Sequence, residues 1–542
     1  MNGREVHARP AINRSSFSFL LLLAVLLLIP RLDGWDYSPG KYLWAEDGSV
    51  FINDAQRLGV ASIWQAYQGY LHAYPRIVAY LAGFVDLSFR PLVLLAGWCI
   101  AYVFMAYTLI QRSWTLGVSA IGTAILLMAV AIQPNVGEVF FTLTNTQWLL
   151  AAGFAIILLT GDANSLGFKP YRLLGLSILG LTGPFSVVIL PVLTLRALYF
   201  KDLGANAWIY VTTLFCACIQ AAVLLNSPRL AVNGGSIDLL SWAVGFGRLA
   251  FFSVDAPLGW AGAITLWIAM IVGIASHWAA GGTARTTAVQ GVMLTVMALL
   301  LLLASMYSAK SNVAAVIVLG SGSRYTWVPY TLILFALWIF TKRSLVCQVL
   351  IGAIWLAIAL PVAHRDTQSS LQFGAFSDFS KYQNVVIPLH PLVPEFPGWY
   401  IEGVQRTHLP LAENLEQDIL ISRETSSGAD VERNGKLIAL RSTGNDPILI
   451  FENKFECPEN TKNVAVETEI RRSVAGAMQL FWAGRNYFSE VDSLKRWYPE
   501  GLVKAQFAFP YMKEGLVLRL DPMEVEGTAV IESMTLICLP AS

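Results

Sequence analysis

A chain of 542 residues that is 55% hydrophobic and only 13% charged, with a mean hydropathy of +0.56, is too apolar for a soluble protein of its size. Its net charge of +1 is uninformative about nucleic acid, but no basic run of the length expected for that partner occurs, so none is expected. The acids are unevenly spread: 24 of the 36 fall in 365–542, leaving 12 for the first 364 positions. That division predicts a lipid bilayer as the partner of residues 1–364 and water as the surroundings of the rest.

From the N-terminus, Arg4, Arg9 and Arg14 precede an apolar stretch, Ser16–Pro30, shaped like a signal sequence. Pro30-Arg31-Leu32-Asp33 offers no small-x-small cleavage site, so an uncleaved first span is expected. An outer loop, Arg31–Arg90, follows. It holds Tyr42-Leu43-Trp44-Ala45-Glu46-Asp47-Gly48 and a short stretch, Ala73–Leu87, whose Arg76 and Asp86 predict a surface helix rather than a crossing. Apolar segments at Leu92–Ile110, Val118–Ile132, Trp148–Thr160, Ile209–Leu225, Leu258–Trp278, Val292–Met306, Val328–Phe340 and Val346–Ala363 are long enough, or nearly so, to span. Leu173–Phe200 is interrupted by Thr182-Gly183-Pro184-Phe185-Ser186 and reads as two short passes meeting there.

These segments make an α-helical polytopic membrane protein of about 11 spans. The positive-inside rule orients it. With the N-terminus inside, Arg112, Lys169, Arg172, Arg196, Lys201, Arg285, Lys342 and Arg343 all fall on cytoplasmic turns. The loops Arg31–Arg90, Gln133–Gln147, Asn226–Pro257 and Tyr307–Tyr325, and the C-terminus, then lie outside. A rival arrangement makes Ala73–Leu87 a span and Leu173–Phe200 a single pass, and exports the C-terminus equally well.

Residues 365–417, with Pro388, Pro391, Pro394, Pro397 and Pro410, read as a linker at the membrane surface. From 418 to 542 the pattern becomes short alternating runs: Ile419–Ile421, Lys436–Leu440, Ile448–Phe451, Val464–Glu469, Met478–Trp482, Val503–Phe509, Leu516–Leu520 and Ala529–Leu536. Such runs predict an exported all-β sandwich; the last stretch with helical spacing is Tyr487–Arg496. Gln479-Leu480-Phe481-Trp482 and Leu518-Arg519-Leu520-Asp521-Pro522 resemble the jelly-roll domains attached to bacterial surface-glycan enzymes. Cys457 and Cys538 are the only cysteines of this third and are candidates for a disulfide; two buried thiols are the alternative. Cys99, Cys216, Cys218 and Cys347 lie in apolar segments and read as small hydrophobes.

Three outer-loop features could carry chemistry. Adjacent Glu46 and Asp47 near a bilayer invite a functional reading, since one carboxylate can accept a proton from a sugar hydroxyl and the other can orient it. Two solvated acids beside a Gly turn are the plainer alternative. Glu138, after Gln133-Pro134-Asn135-Val136-Gly137, is a second isolated acid on the same face; Asn145 and Gln147 add amides suited to sugar hydroxyls, while Trp148 fits an aromatic belt. Gly320-Ser321-Gly322-Ser323-Arg324-Tyr325 ends the last outer loop with an Arg able to hold a phosphate. Lys310, His72 and Arg76 add basic groups to that face, although ordinary lipid head-group contact would also account for them.

Together these pieces resemble the membrane glycosyltransferases of the C superfamily, which share a multi-span fold and take sugars from polyprenyl phosphates on the outer face. The matching parts are Trp44-Ala45-Glu46-Asp47-Gly48, the surface helix after it, Glu138, and Arg324-Tyr325, over about the first 360 residues. The resemblance implies Asp47 with Glu46 as base or metal ligand, Glu138 as an assisting acid, and Arg324 as the holder of the lipid phosphate. Tyr325, Lys310, Arg76 and His72 would help bind that phosphate, and Trp44, Asn145 and Gln147 would contact substrate. The implied donor is a polyprenyl-phosphate sugar, the acceptor a glycan or exported protein, and the setting a bacterial inner membrane. The acids stand side by side rather than as Asp-x-Asp, so no cofactor is firmly implied and a divalent Mg or Mn stays open. A lipid-linked sugar flippase, a polysaccharide exporter and a glycan polymerase are the rival expectations. A membrane acyltransferase is disfavoured, because His277, His364 and His390 are isolated from any acid partner.

Overall fold

The computed structural model describes residues 14–31, 43–134, 137–161, 168–227, 239–253, 257–308, 316, 324–362, 370–392, 396–403, 409, 415–419, 426–434, 437–442, 444, 447–451, 455–484, 488–513 and 515–540. The chain forms two compact units. The first comprises Met1–Gly34, Ala61–Val78 and Leu95–Asp366; the second comprises Trp35–Val60, Ala79–Leu94 and Thr367–Ser542. Two stretches of the first loop group with the C-terminal unit.

The first unit is helical. Each apolar segment anticipated above forms a helix, and among the described residues five helices are long and apolar enough to cross a membrane: Arg14–Arg31, Leu87–Thr115, Ala207–Leu225, Pro257–Ala279 and Gly282–Ser308. Ala120–Ala131, Thr146–Thr160, Phe185–Phe200 and Leu345–Ala359 are apolar but shorter than the roughly 20 residues a perpendicular crossing needs. The break in Leu173–Phe200 is real: one helix runs Pro170–Gly180 and the next Phe185–Phe200. The Asn226–Pro257 loop holds a helix the sequence reading missed, Leu239–Ala250.

Close approach between helices explains several glycines. A Cβ at Gly291 would collide with the Phe340 ring, and one at Gly122 with Gln348. Without a hydrophobic drive between helices in lipid, such small residues let backbones pack tightly. Arg324–Phe340 is the central helix, buried at every position from Thr326 to Phe340. Trp338 Nε1 donates to Gly122 O at 2.7 Å and Trp355 Nε1 to Ala129 O at 2.8 Å, locking its neighbours.

The second unit is built on two antiparallel sheets. One has the order β10(Ser493–Tyr498), β9(Gly476–Ala483), β12(Val517–Asp521), β7(Ile448–Phe451), β4(Ser426–Ser427). The other has the order β11(Gly501–Pro510), β8(Thr461–Arg472), β13(Thr528–Pro540), β6(Leu437–Ser442), β5(Ala429–Asn434), with β3(Glu416–Asp418) also on β13. Their inner faces meet at Trp482, stacked on Phe509 at 4.6 Å. Of Tyr487–Arg496, whose spacing suggested a helix, the described residues 488–496 form no α-helix. They contribute a short turn, Glu490–Asp492, and then run into β10. Cys457 and Cys538 are joined in a disulfide, with Cα atoms 5.7 Å apart and 81 residues of separation.

The stretch expected to be a linker is also structured. It contains a helix, Phe373–Phe379, and a two-stranded sheet of β1(Val385–Pro388) and β2(Tyr400–Gly403). Asn463 Nδ2 on β8 donates to Asp378 Oδ2 at 2.7 Å, and Gln383 Nε2 donates to Glu467 Oε2 at 2.7 Å. These bonds bind the stretch to the six-stranded sheet.

Candidate functional site

In the helical unit, Glu138 and Arg324 meet. Arg324 Nη1 donates to Glu138 Oε2 at 2.9 Å, with the two side chains 29% and 23% exposed in the order Arg, Glu. The acid sits on a short turn, Gly137–Val139, and Arg324 opens the central helix. Glu138 is held by its own loop: Thr142 Oγ1 and Asn145 Nδ2 both donate to its carbonyl at 2.7 Å. Trp98 Nε1 fixes the next residue through Val139 O at 2.9 Å. A guanidinium is a planar set of N–H donors whose geometry suits carboxylate and phosphate oxygens.

Asn145 is fully used by this loop. Beyond Glu138, its Nδ2 donates to Thr142 Oγ1 at 2.9 Å and its Oδ1 accepts from Trp148 Nε1 at 3.2 Å. Its place is in shaping the loop, which accounts for it without a ligand. Trp148 then leads onward: its ring lies 5.4 Å from Tyr325 and 5.2 Å from Phe185.

Those contacts reach the helix break, whose purpose the sequence left open. The break receives the segment Leu71–Tyr74. Gly183 N–H donates to Leu71 O at 2.9 Å, Ala73 N–H to Leu181 O at 3.1 Å, and Tyr74 N–H to Thr182 Oγ1 at 3.0 Å. Gln220, an amide within an apolar helix, completes the joint. Its Oε1 accepts from Leu71 N–H at 2.9 Å, and its Nε2 donates to Leu71 O at 3.1 Å and Gly183 O at 2.9 Å. Gly183 has a φ of +82°, and a Cβ there would lie 2.6 Å from the Phe185 ring and 2.9 Å from Gln147 Oε1. Unwound backbone inside a membrane unit needs partners of this kind.

His72 and Arg76 flank this joint, buried to 1% exposure each. The His72 ring stacks on Tyr70 at 4.6 Å. Burial, reinforced by the Arg76 charge, pulls the His72 pKa down to about 3. His72 is thus neutral at pH 7 and supplies no positive charge to a phosphate, which narrows the expectation made for it; Arg76 carries the charge at this joint. Gln147 Oε1 and Ser186 Oγ are buried here with no hydrogen-bond partner. Both are oxygens able to accept a new bond. Arg31, which the sequence reading used only as a loop boundary, adds a further cation to the unit. Its Nη2 donates to Ala131 O at 2.6 Å, and its guanidinium lies 4.0 Å from the Phe140 ring, two residues beyond Glu138. Lys310 lies outside the described residues.

The acidic motif belongs to the second unit. Trp44 pairs with His390, and Ala45 N–H donates to His390 O at 2.5 Å. Trp44 is 6% exposed and packs with Ala45 and Trp399, so its ring is accounted for by packing rather than by a ligand. Asp47 opens a wide helical turn, Asp47–Ile52, and is itself 3% exposed, whereas Glu46 is half-buried. A Cβ at Gly48 would collide with the Leu389 side chain, so the glycine of the motif is demanded by that approach. Asn53 Nδ2 donates to Tyr400 O at 3.2 Å, and its Oδ1 accepts from Glu402 N–H at 3.0 Å, tying the motif to β2. Among the described residues, no group of three or more His, Cys, Asp or Glu side chains is placed to hold a metal.

No family model matches this chain, and no curated protein does. Among solved structures, one described as "BiXyn10A CBM1 APO" is similar at 12% identity and a TM-score of 0.16. The match covers 22% of this chain and 95% of that one.

Proposed function

We propose that the chain is an inverting glycosyltransferase of a bacterial inner membrane, moving a sugar from a polyprenyl-phosphate donor to a surface glycan or exported protein. The arrangement assigned is about eleven spans with the N-terminus inside and the C-terminal unit outside, the face on which a disulfide persists. The observation that carries the reading is the Glu138–Arg324 pair. It joins the second acid and the late Arg that the family resemblance singles out, from positions 186 residues apart in sequence. Four other elements support it: the neighbouring aromatic run Tyr325–Trp148–Phe185, the unpartnered Gln147 Oε1 and Ser186 Oγ, and buried Arg76.

In this reading, the positive charge of Arg324 stabilises the departing phosphate, where negative charge grows. Glu138 orients the guanidinium and keeps it from swinging into lipid head groups. The family resemblance, rather than any placement in space, gives removal of the acceptor hydroxyl proton to Asp47 or Glu46. A divalent Mg or Mn is not required for any of these roles.

The test is transfer by purified protein from a panel of polyprenyl-phosphate sugars, comparing wild type with Glu138→Gln, Arg324→Gln and Asp47→Asn. Turnover in wild type and loss in the first two variants is expected; equal turnover in all four chains sinks the proposal. Loss in Asp47→Asn tests the base on its own. A lipid-linked sugar flippase would instead move its substrate across vesicle membranes without transferring it. The helix break, a feature transporters also use, receives the segment Leu71–Tyr74 here.

A further inference from the structure

The second unit contains two buried cations that the proposed reaction does not use. Arg472 ends β8 and Arg496 lies in β10, and both are on buried strand positions, at 2% and 6% exposure. Arg472 donates from Nη1 to Gly476 O at 3.0 Å and Tyr498 O at 3.3 Å, and from Nη2 to Ala477 O at 3.3 Å. Arg496 donates from Nη1 to Val386 O at 3.2 Å and Gln506 O at 3.3 Å. Every acceptor is a neutral carbonyl. Among the described residues no carboxylate pairs with either arginine. Glu467, which is linked to the cluster through Gln506 Nε2 at 3.1 Å, is already taken by Lys504 at 2.7 Å and Gln383 at 2.7 Å.

Both charges border one ring. Tyr498 is 1% exposed, Arg472 bonds its carbonyl, and the Arg496 guanidinium carbon lies 5.5 Å from its ring centre. Phe396 stacks on the same ring at 4.9 Å and lies 5.8 Å from the Arg496 guanidinium. Arg472 Nε and Arg496 Nη2 are buried with no hydrogen-bond partner. Burial holds the Arg472 pKa below its ordinary value. A buried cation facing only carbonyl dipoles carries a desolvation penalty that those dipoles offset only in part. Such a cation is stabilised by a negative charge, and two guanidiniums offer planar donor sets that suit oxygen anions.

We propose that Arg472 and Arg496, beside Tyr498 and with Phe396 as an apolar wall, form a binding site for an oxyanion: a phosphate, a sulfate, or the carboxylate of an acidic sugar. The competing account is that the two arginines only fasten the sheets together. Arg496 of the five-stranded sheet does bond Gln506 of the six-stranded one, and Arg472 reaches back to Ala477. The two accounts differ in what removing the charge does. A pure fastener is missed at once when removed. A site awaiting an anion is relieved when the charge is replaced by an apolar side chain of similar length.

The experiment follows the melting of the full-length chain in detergent micelles, by tryptophan fluorescence. Sodium phosphate, sodium sulfate and sodium glucuronate are each titrated at ionic strength held constant with NaCl. At least one anion is expected to raise Tm saturably, beyond the chloride control. Arg472→Met and Arg496→Met should each weaken that response at least tenfold while melting at or above wild type in chloride alone. Arg496→Lys, which keeps a charge, should retain part of the response and serves if a Met variant does not fold. Glu138→Gln should leave it intact, separating this site from the glycosyltransferase reading. A response to phosphate and sulfate alone identifies a free ion or phosphate ester as the ligand; a response to glucuronate identifies an acidic glycan. The proposal is overturned if no anion moves Tm beyond chloride, if the response survives in both Met variants, or if anions have no effect and both variants melt lower.

Discussion

The helical unit contains two ion pairs of similar length and opposite character. Arg196 and Asp202 lie 2.7 Å apart with side chains 5% and 1% exposed. Asp202 also accepts from Tyr210 OH at 2.5 Å and from Asn206 Nδ2 at 3.0 Å, while Arg196 donates to Tyr210 OH at 2.7 Å and Gly161 O at 2.8 Å. Glu138 and Arg324 lie 2.9 Å apart but remain a quarter exposed. The first pair is enclosed by partners that use both carboxylate oxygens, so it fastens the end of one helix to the start of the next. The second is partly exposed and sits at the start of a helix. A charge pair that solvent and a solute can reach is the better candidate for chemistry.

That contrast can be broken most forcefully at the enclosed pair. Asp202→Ala strands a buried guanidinium and should lower stability by roughly 3–5 kcal/mol, read from unfolding in micelles, with transfer per folded molecule unchanged. Glu138→Gln should do the reverse. Unfolding should move by less than about 1 kcal/mol, because the pair is partly solvated, while transfer falls on the order of 100-fold. Equal losses of stability in the two variants would erase the distinction drawn above. Gly183→Ala probes the joint at the helix break: strained φ and the Phe185 and Gln147 contacts predict a loss of about 1–3 kcal/mol, with a further drop in transfer if Gln147 contacts substrate.

The smallest effect concerns pH. His72 is held neutral in the fold with a pKa of about 3, against 6.5 ordinarily. The unfolded chain therefore binds a proton below pH 6.5 that the folded chain refuses until about pH 3. Stability should be flat above pH 6.5 and decline as pH falls through that window, by about 1 kcal/mol at pH 5.5. His72→Gln should flatten the decline; an unaltered slope would show that other groups cause it.

Much of the helical unit was legible because its signal is local. Runs such as Leu92–Ile110 or Val328–Phe340 declare themselves by apolar length, and Pro184 beside Gly183 marks a break whatever surrounds it. What the break is for was not legible, since its partners Leu71 and Gln220 are distant in sequence. Gln220 did carry a signal, being an amide in an apolar helix, and that signal was overlooked. Leu239–Ala250 was missed because twelve residues fall short of a span. β10 was missed because Glu490, Val491 and Asp492 disrupt the alternation just before Ser493–Tyr498. The meeting of Glu138 with Arg324 was expected from shared sidedness, whereas the seating of Trp44 and Gly48 against Trp399 and Leu389 was not, because no local rule links 44–48 to 389–399.

The docking of Leu71–Tyr74 into the helix break also imposes an order on synthesis. Thr182 emerges from the ribosome 108 residues after Tyr74, so the earlier strip must wait with its backbone groups hydrated until the broken helix pair and Gln220 are inserted. Nascent chains halted near residue 165 should therefore expose the Leu71–Tyr74 strip to protease, and chains halted beyond the membrane insertion of Leu225 should shield it. Maturation of the helical unit thus closes on its own beginning, late in translation.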